Sequence, residues 1–288
     1  MTQATQMASE LKSKIDEAAA FVRQRTKGAP APELGVILGT GLGDFARSLD
    51  SPVVVPYADI PHFPRSTVES HAGELHVGRL AGRPVALMNG RVHYYEGYTM
   101  QQVAFPVRVL KALGCKTLIV TNACGGMNPA MPAGTIVVTT DHINLMGDNP
   151  LIGPNDDTLG PRFPDMSEPY SRKLIALAEK VAAEQKLALK PGVFVAVPGP
   201  NLETAAEYRF LRGIGADVVG MSLVPEDIVA VHGGMRVLAF NVVTDAADPD
   251  HLKAVELSEV LAVAGRVAPA LTRLVTEIVR RLDEANQT

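Results

Sequence analysis

Cysteine is scarce in this chain: 288 residues carry two, Cys115 and Cys124. Both lie in or beside apolar stretches, which argues against a disulfide scaffold and fits a reducing compartment. A small buried thiol is the ordinary reading of each, and a catalytic thiol the alternative. Cysteine/histidine spacing of the zinc type is missing. A basic excess is missing too, since 27 Lys and Arg face 31 Asp and Glu, for a formal net charge of −4. A general nucleic-acid surface is therefore not indicated, and a bound anion has to be met by a local site. No apolar run reaches membrane-spanning length, and the opening MTQATQMASELKSK contains no apolar signal core. The expectation is a cytoplasmic protein with neither nucleic acid nor membrane as partner.

What is present is an ordinary globular balance, 47% hydrophobic and 20% charged. The length suits one large α/β domain over residues 1–288. Leu11, Ile15, Ala18 and Val22 recur at helical spacing and predict an N-terminal helix at about 9–25. Short Val/Ile/Leu-rich strands follow at LGVILG, RPVALMNG, KTLIVTNA, GTIVVTTDHI, GVFVAVPG, ADVVGMS and RVLAFNVVT. Helical patterns separate several of them, at 168–186, at 203–212 and from Glu256 onward. The pattern predicts a central mixed, mostly parallel sheet flanked by helices on both faces. The polar, Pro- and Gly-rich stretch from Gly147 to Pro169 reads as a long loop, a feature more often functional than idle.

Several motifs fall at strand ends, where open α/β sheets hold their ligands. GTGLG (39–43) offers backbone N–H groups and the Thr40 hydroxyl to an anion, or is a plain tight turn. It lacks the last glycine of a dinucleotide fingerprint, where Asp44 stands, and it lacks a Walker lysine. In NGRVHYYEGY (89–98), Arg91 and His93 are two apart and point the same way if extended. A guanidinium fork and an imidazole converging on one point suit a phosphate dianion, although a solvated strand face gives the same spacing. His71 sits between a polar loop and a strand. Ala123, in TNACGGMNP, can offer a backbone N–H. Glu203 stands at a helix start, where a carboxylate also complements the helix dipole. Met221 and Ser222 end one strand. Thr244 and Asp245 end another, and Asp245 is either a turn residue or a polar group facing a ligand.

Taken in order, these blocks resemble the trimeric purine nucleoside phosphorylases. The resemblance runs from about Leu34 to the C-terminal helix and includes FPRSTVESHAGELHVG, FPVRVLKALG, DHINL, GPND, RFPDMS, GPNLETAAE and GADVVGMSLVPE. It implies a nucleoside phosphorylase fold. It also implies an enzyme that cleaves the N-glycosidic bond of purine (deoxy)ribonucleosides with inorganic phosphate. Phosphate is then a co-substrate, and no cofactor or metal is expected. By the same resemblance, Thr40, His71, Arg91, His93, Ala123 and Ser222 bind phosphate. The nucleoside is met by Tyr95, Leu202, Glu203, Val219, Met221, Thr244, Asp245 and Leu257, with Phe163 donated across a homotrimer interface. Asp245, His93 and Glu96 are the catalytic candidates. Phosphate opposite the leaving base is both nucleophile and counter-charge for an oxocarbenium-like ribose, so no covalent enzyme intermediate is required. Groups near N7 act on the leaving base.

Three positions depart from the family's usual 6-oxopurine pattern. Asp245 replaces an asparagine: ionised, it only accepts, which suits a 6-amino group, and it must be protonated to donate. Leu257 aligns with a histidine near the ribose 5′-hydroxyl, and Leu202 with a base-stacking phenylalanine. Asp245 and Leu257 resemble the methylthioadenosine phosphorylases instead, so a phosphorylase of 6-aminopurine or 5′-methylthio nucleosides is the alternative. A nucleoside-binding module without catalysis and a dinucleotide-dependent dehydrogenase are the readings from other classes.

Overall fold

Strands buried on both faces read as near-continuous apolar runs, and such runs pack at the centre of a layered fold. The computed structural model describes residues 3–68 and 71–287. Its strands are β1 (Leu34–Ile37), β2 (Asp50–Pro56), β3 (Glu74–Leu80), β4 (Arg83–Asn89), β5 (Thr117–Gly126), β6 (Ile136–Asn144), β7 (Leu189–Ala196), β8 (Val218–Gly220) and β9 (Arg236–Ala246). They form one mixed sheet in the order β2-β3-β4-β1-β5-β8-β7-β6-β9. β1 runs parallel to β4 and β5, β5 to β9, and β7 to β6 and β8. The remaining pairings are antiparallel: β2 with β3, β3 with β4, β5 with β8, and β6 with β9. Because β9 pairs with both β6 and β5, the sheet closes on itself around β5, β8, β7, β6 and β9. The strand pattern alone does not contain that closure. It also does not mark β2, an edge strand carrying two prolines and mostly exposed or half-buried side chains.

The α-helices are α1 (Gln3–Arg25), α2 (Met100–Leu113), α3 (Arg172–Glu184), α4 (Ala205–Gly213), α5 (Val224–His232), α6 (Leu257–Arg280) and the short α7 (Glu284–Gln287). Ile15, Ala18 and Val22 of α1 are buried against the core, as their spacing requires. The apolar stripe 168–186 becomes helical only from Arg172, after Pro169, and the Glu168 carboxylate accepts from the Arg172 N–H at 3.0 Å. In α4 the cap is Thr204, whose hydroxyl accepts from the Glu207 N–H while Glu207 answers at the Thr204 N–H. Glu203 therefore lies before the helix, not in it. A small apolar cluster of Met127, Val195, Tyr208, Leu211, Ala216, Val219 and Ala247 packs beneath α4, separate from the main core. Among the described residues no helix is long and apolar enough to cross a membrane.

The 147–169 segment is a loop of turns fastened to its surroundings. Gln101 of α2 donates to the Ile152 carbonyl at 3.0 Å, and Arg162 donates to the Leu151 carbonyl at 3.0 Å. His232 of α5 meets Asn155 at 3.3 Å.

Candidate active site

The C-terminal ends of β1, β5 and β9, the segments leaving β4 and β7, and the end of β8 converge on one cavity of about 190 Å³. Close approach of the first two strands depends on Gly39. A side chain there would meet the Thr121 carbonyl at 2.6 Å, and its N–H donates to the Thr121 hydroxyl at 3.1 Å. Gly41, at φ +76°, turns the chain where any Cβ would strike Ala264 of α6. Thr40 lines the cavity between these two glycines.

Arg91 and His93 line it together from the segment after β4. Arg91 is buried, and its guanidinium donates to Asn122 Oδ1 and to the Thr121 carbonyl. Glu226 of α5 lies 3.5 Å away, both side chains being 3% exposed. Burial lowers the arginine pKa, and the Glu226 charge works against that shift. Two of the five guanidinium donors are thus engaged, and the buried Nε–H has no partner among the described residues.

His93 is held from behind. Its Nδ1 lies 3.0 Å and its backbone N 2.6 Å from Glu96 Oε1, while the other Glu96 oxygen accepts from the Thr67 N–H and hydroxyl at 2.8 and 2.6 Å. Burial pushes the Glu96 pKa up, but these hydrogen bonds outweigh it and hold the carboxyl at about 2. An ionised carboxylate only accepts, so the proton of a neutral His93 sits on Nδ1. Glu96 does not line the cavity. Nor does His71, which is buried with its ring stacked on that of His93 at 5.3 Å. Burial, then the nearby His93 and Arg91, lower the His71 pKa to about 3. Tyr95 lines the cavity, and its ring also stacks on that of His93, at 4.7 Å.

Ser222 owes its position to backbone strain. Leu223 adopts φ 70°, ψ −56°, and the Val224 N–H donates back to the Ser222 carbonyl at 2.8 Å, which makes a γ-turn. A leucine in that region costs on the order of 1–3 kcal/mol. The turn swings the chain from β8 into α5 with Ser222 facing the cavity. The Ser222 hydroxyl donates to Asn122 Oδ1 at 3.1 Å, so Asn122 joins the serine to the guanidinium. Asn122 in turn donates to Asn241 at 3.0 Å, and Asn241 to Thr139 at 2.7 Å, a polar chain running through the buried sheet.

The opposite end of the cavity is lined by Leu202, Glu203, Val219, Met221, Thr244 and Asp245. Consecutive strand residues normally face opposite ways, yet Thr244 and Asp245 both face in. Val243 pairs with Cys124 and Asp245 with Gly125, which makes Thr244 an extra residue, a β-bulge at the cavity edge. Thr244 donates to Asp245 Oδ1 at 2.9 Å. Burial raises the Asp245 pKa above its ordinary value, against the Thr244 hydrogen bond. The Glu203 pKa is raised first by burial and then by the charges of Glu207 and Asp245, while hydrogen bonds from its own backbone and from Tyr208 lower it.

The anticipated residues thus fall into three groups. Thr40, Arg91, His93, Tyr95, Ala123, Leu202, Glu203, Val219, Met221, Ser222, Thr244 and Asp245 share the cavity. His71 and Glu96 stand one layer behind it. Phe163 and Leu257 are outside: Phe163 is 86% exposed on the long loop, and Leu257, first residue of α6, is 56% exposed. Val255 and Val260 form the wall where Leu257 was expected. The segment before α6 and the inner side of its first turn enter the cavity, whereas the helix's opening residue faces solvent. Asn122 and Tyr208 also line the cavity and went unrecognised in the sequence, although Asn122 stands within TNACGG and Tyr208 within ETAAEY. Cys124 lines it too, but burial raises its thiol pKa well above the ordinary value, and its S–H meets the Val242 carbonyl at 3.5 Å. Cys115 is likewise buried, its pKa pushed up to about 12. Neither thiol supplies a nucleophile at neutral pH.

The profile of the family described as "Phosphorylase superfamily" matches residues 33–280. Purine nucleoside phosphorylase 1 of Bacillus subtilis is 50% identical over 273 residues, covering 95% of this chain and all of that one. The purine nucleoside phosphorylase of Mus musculus is 45% identical over 259 residues, 87% of this chain and 89% of its own. A crystal structure of isoform 2 of the Schistosoma mansoni enzyme, in complex with cytosine and ribose-1-phosphate, superposes with a TM-score of 0.89. It is 39% identical and covers 94% of this chain and 96% of that chain. A matching profile over most of the chain, high identity over nearly full lengths and one shared fold agree: this chain belongs to the phosphorylase superfamily.

Proposed function

We propose that this chain is a purine nucleoside phosphorylase, which cleaves the N-glycosidic bond of purine (deoxy)ribonucleosides with inorganic phosphate. The carrying observation is a single cavity with an anion-suited end (Thr40, Arg91, His93, Ser222) and a base-suited end (Glu203, Asp245). The roles follow from the chemistry. Arg91, Thr40, Ser222 and the Ala123 N–H hold the phosphate. His93, with its proton fixed on Nδ1 by Glu96, offers Nε2 as an acceptor to the phosphate's P–OH, while His71 backs the imidazole. Tyr95 and Met221 meet the ribose, and Val219 and Leu202 meet the faces of the base. Glu203 and Asp245 read its polar edge. Held phosphate attacks C1′ opposite the departing base, and its negative charge stabilises the oxocarbenium-like ribose. A proton or hydrogen bond from Asp245 at the N7 side relieves the leaving purine. No cofactor or metal enters this scheme. Phe163, exposed on the long loop, is assigned to a neighbouring subunit's site in a homotrimer. The two free, buried cysteines agree with a cytoplasmic place in purine salvage.

A second reading rests on Asp245 and the apolar Val255–Val260 wall, which together favour a 6-aminopurine with an apolar 5′ substituent. One substrate panel decides. Inosine, guanosine, adenosine and methylthioadenosine are each incubated with and without phosphate, and free base and sugar 1-phosphate are measured. Phosphate-dependent release from inosine and guanosine is the expected result. Turnover confined to methylthioadenosine selects the second reading, and release from none of the four removes both.

A further inference from the structure

Tyr208 occupies the base end of the cavity beside the two carboxyls proposed to read the purine. Its place follows from the way α4 starts. With Thr204 as cap and Glu207 completing the capping box, Glu203 is the residue before the cap and Tyr208 is the fourth helical residue. Residues at those two positions pack against each other across a helix start. Here the pair is polar: Tyr208 and Glu203 line the same cavity, and the tyrosine hydroxyl acts to lower the Glu203 pKa. The ring is 4% exposed and locked in the small cluster with Val195, Leu211 and Val219, which fixes where the hydroxyl points.

Among the described residues, no cation acts on Glu203 or Asp245 at this end. The titratable groups facing Glu203 are Tyr208 and Glu207 from α4 and Asp245 from β9. Facing Asp245 are Glu203, Tyr208 and the neutral Cys124 thiol from β5, with the Thr244 hydroxyl donating to Oδ1. Two carboxyls in one cavity without a cation favour holding a single proton between them. The site of that proton decides which purine fits. With Glu203 ionised and Asp245 protonated on Oδ2, the pair accepts from N1–H and donates to the O6/N7 edge, the pattern of a 6-oxopurine. With the proton on Glu203, the pair donates to a bare N1 and accepts from a 6-amino group, the pattern of a 6-aminopurine.

We propose that Tyr208 is a positioning residue that assigns this proton: by donating to Glu203 it keeps that carboxyl an acceptor, leaves the proton to Asp245 and biases the site toward 6-oxopurines. The inference rests on the purine-reading roles given above. Its test is Tyr208→Phe, which keeps the ring and removes only the donor. The readout is kcat/KM for inosine and for adenosine between pH 5.5 and 9, with thermal melts alongside. Loss of one hydrogen bond to a charged carboxylate moves the acid limb of the inosine profile up by about one pH unit. At pH 6.5 the inosine-to-adenosine ratio falls about tenfold. On a Glu203→Gln background the same substitution leaves limb and ratio where they were. An unmoved limb in folded Tyr208→Phe, an equal loss for both nucleosides, or a shift that survives on the Glu203→Gln background overturns the inference while leaving the phosphorylase reading intact. A wild-type chain that releases no base with phosphate removes that reading and this inference with it.

Discussion

Removal of the Arg91 guanidinium should produce two separable losses. The first concerns the fold. Arg91 and Glu226 form a pair with both side chains 3% exposed, and stripping one partner from a buried pair costs about 3–5 kcal/mol, because the other charge is left without compensation. The second concerns phosphate. Two charge-assisted hydrogen bonds at about 1.5–3 kcal/mol each, reduced by the desolvation they require, put the loss at about 3–4 kcal/mol, or two to three orders of magnitude in Kd. Arg91→Met alone therefore lowers the denaturation midpoint and phosphate affinity together. Arg91→Met with Glu226→Gln neutralises the orphaned carboxylate, so most of the stability returns while phosphate affinity stays low. Urea denaturation and calorimetric titration, with phosphate and separately with inosine, measure the two terms. The reasoning fails if the double variant regains phosphate binding, or if inosine affinity falls as far as phosphate affinity does.

The end proposed to hold phosphate was the more legible half of the site. Arg91 and His93 declare themselves by type and spacing in an extended segment, and glycines before Thr40 and after Asn122 mark places where backbone must come close. What the sequence could not show was closure of the sheet through β9, since strand order is a property of long-range pairing. Closure brings Asn122, Asn241 and Thr139 into line behind Arg91. It also sets the register in which Thr244 becomes a bulge and Asp245 turns inward. Tyr208 was hidden for another reason. Its partner is five residues away across a helix start, and placing the helix at Glu203, one residue before the Thr204 cap, shifts that pairing out of register. Leu257 shows the same sensitivity, since a gapped match near a helix start does not say which residue of the first turn faces inward.

Asp245→Asn replaces a titrating carboxyl with a fixed donor and acceptor; the inosine-to-adenosine ratio of kcat/KM rises about tenfold or more, and an unchanged ratio means Asp245 does not read the base. Ala81 and Gly82 join β3 to β4 with φ 50° and 84°, the two positive values of a type I′ hairpin, so Ala81→Asn stabilises by about 0.5–1 kcal/mol in urea titrations, and a loss of stability would refute that turn assignment. The last prediction turns on proton linkage at His71, whose folded pKa of about 3 lies below the ordinary 6.5. Below pH 6.5 the unfolded chain binds a proton that the folded chain refuses, so stability falls as pH drops toward 3. Integrated from pH 7 to pH 5, this single site removes about 2 kcal/mol. His71→Gln, which does not titrate, should therefore lose about 2 kcal/mol less than wild type over that interval in paired urea denaturations. Parallel curves for the two proteins would place the imidazole in contact with solvent in the folded state, against its burial beside His93.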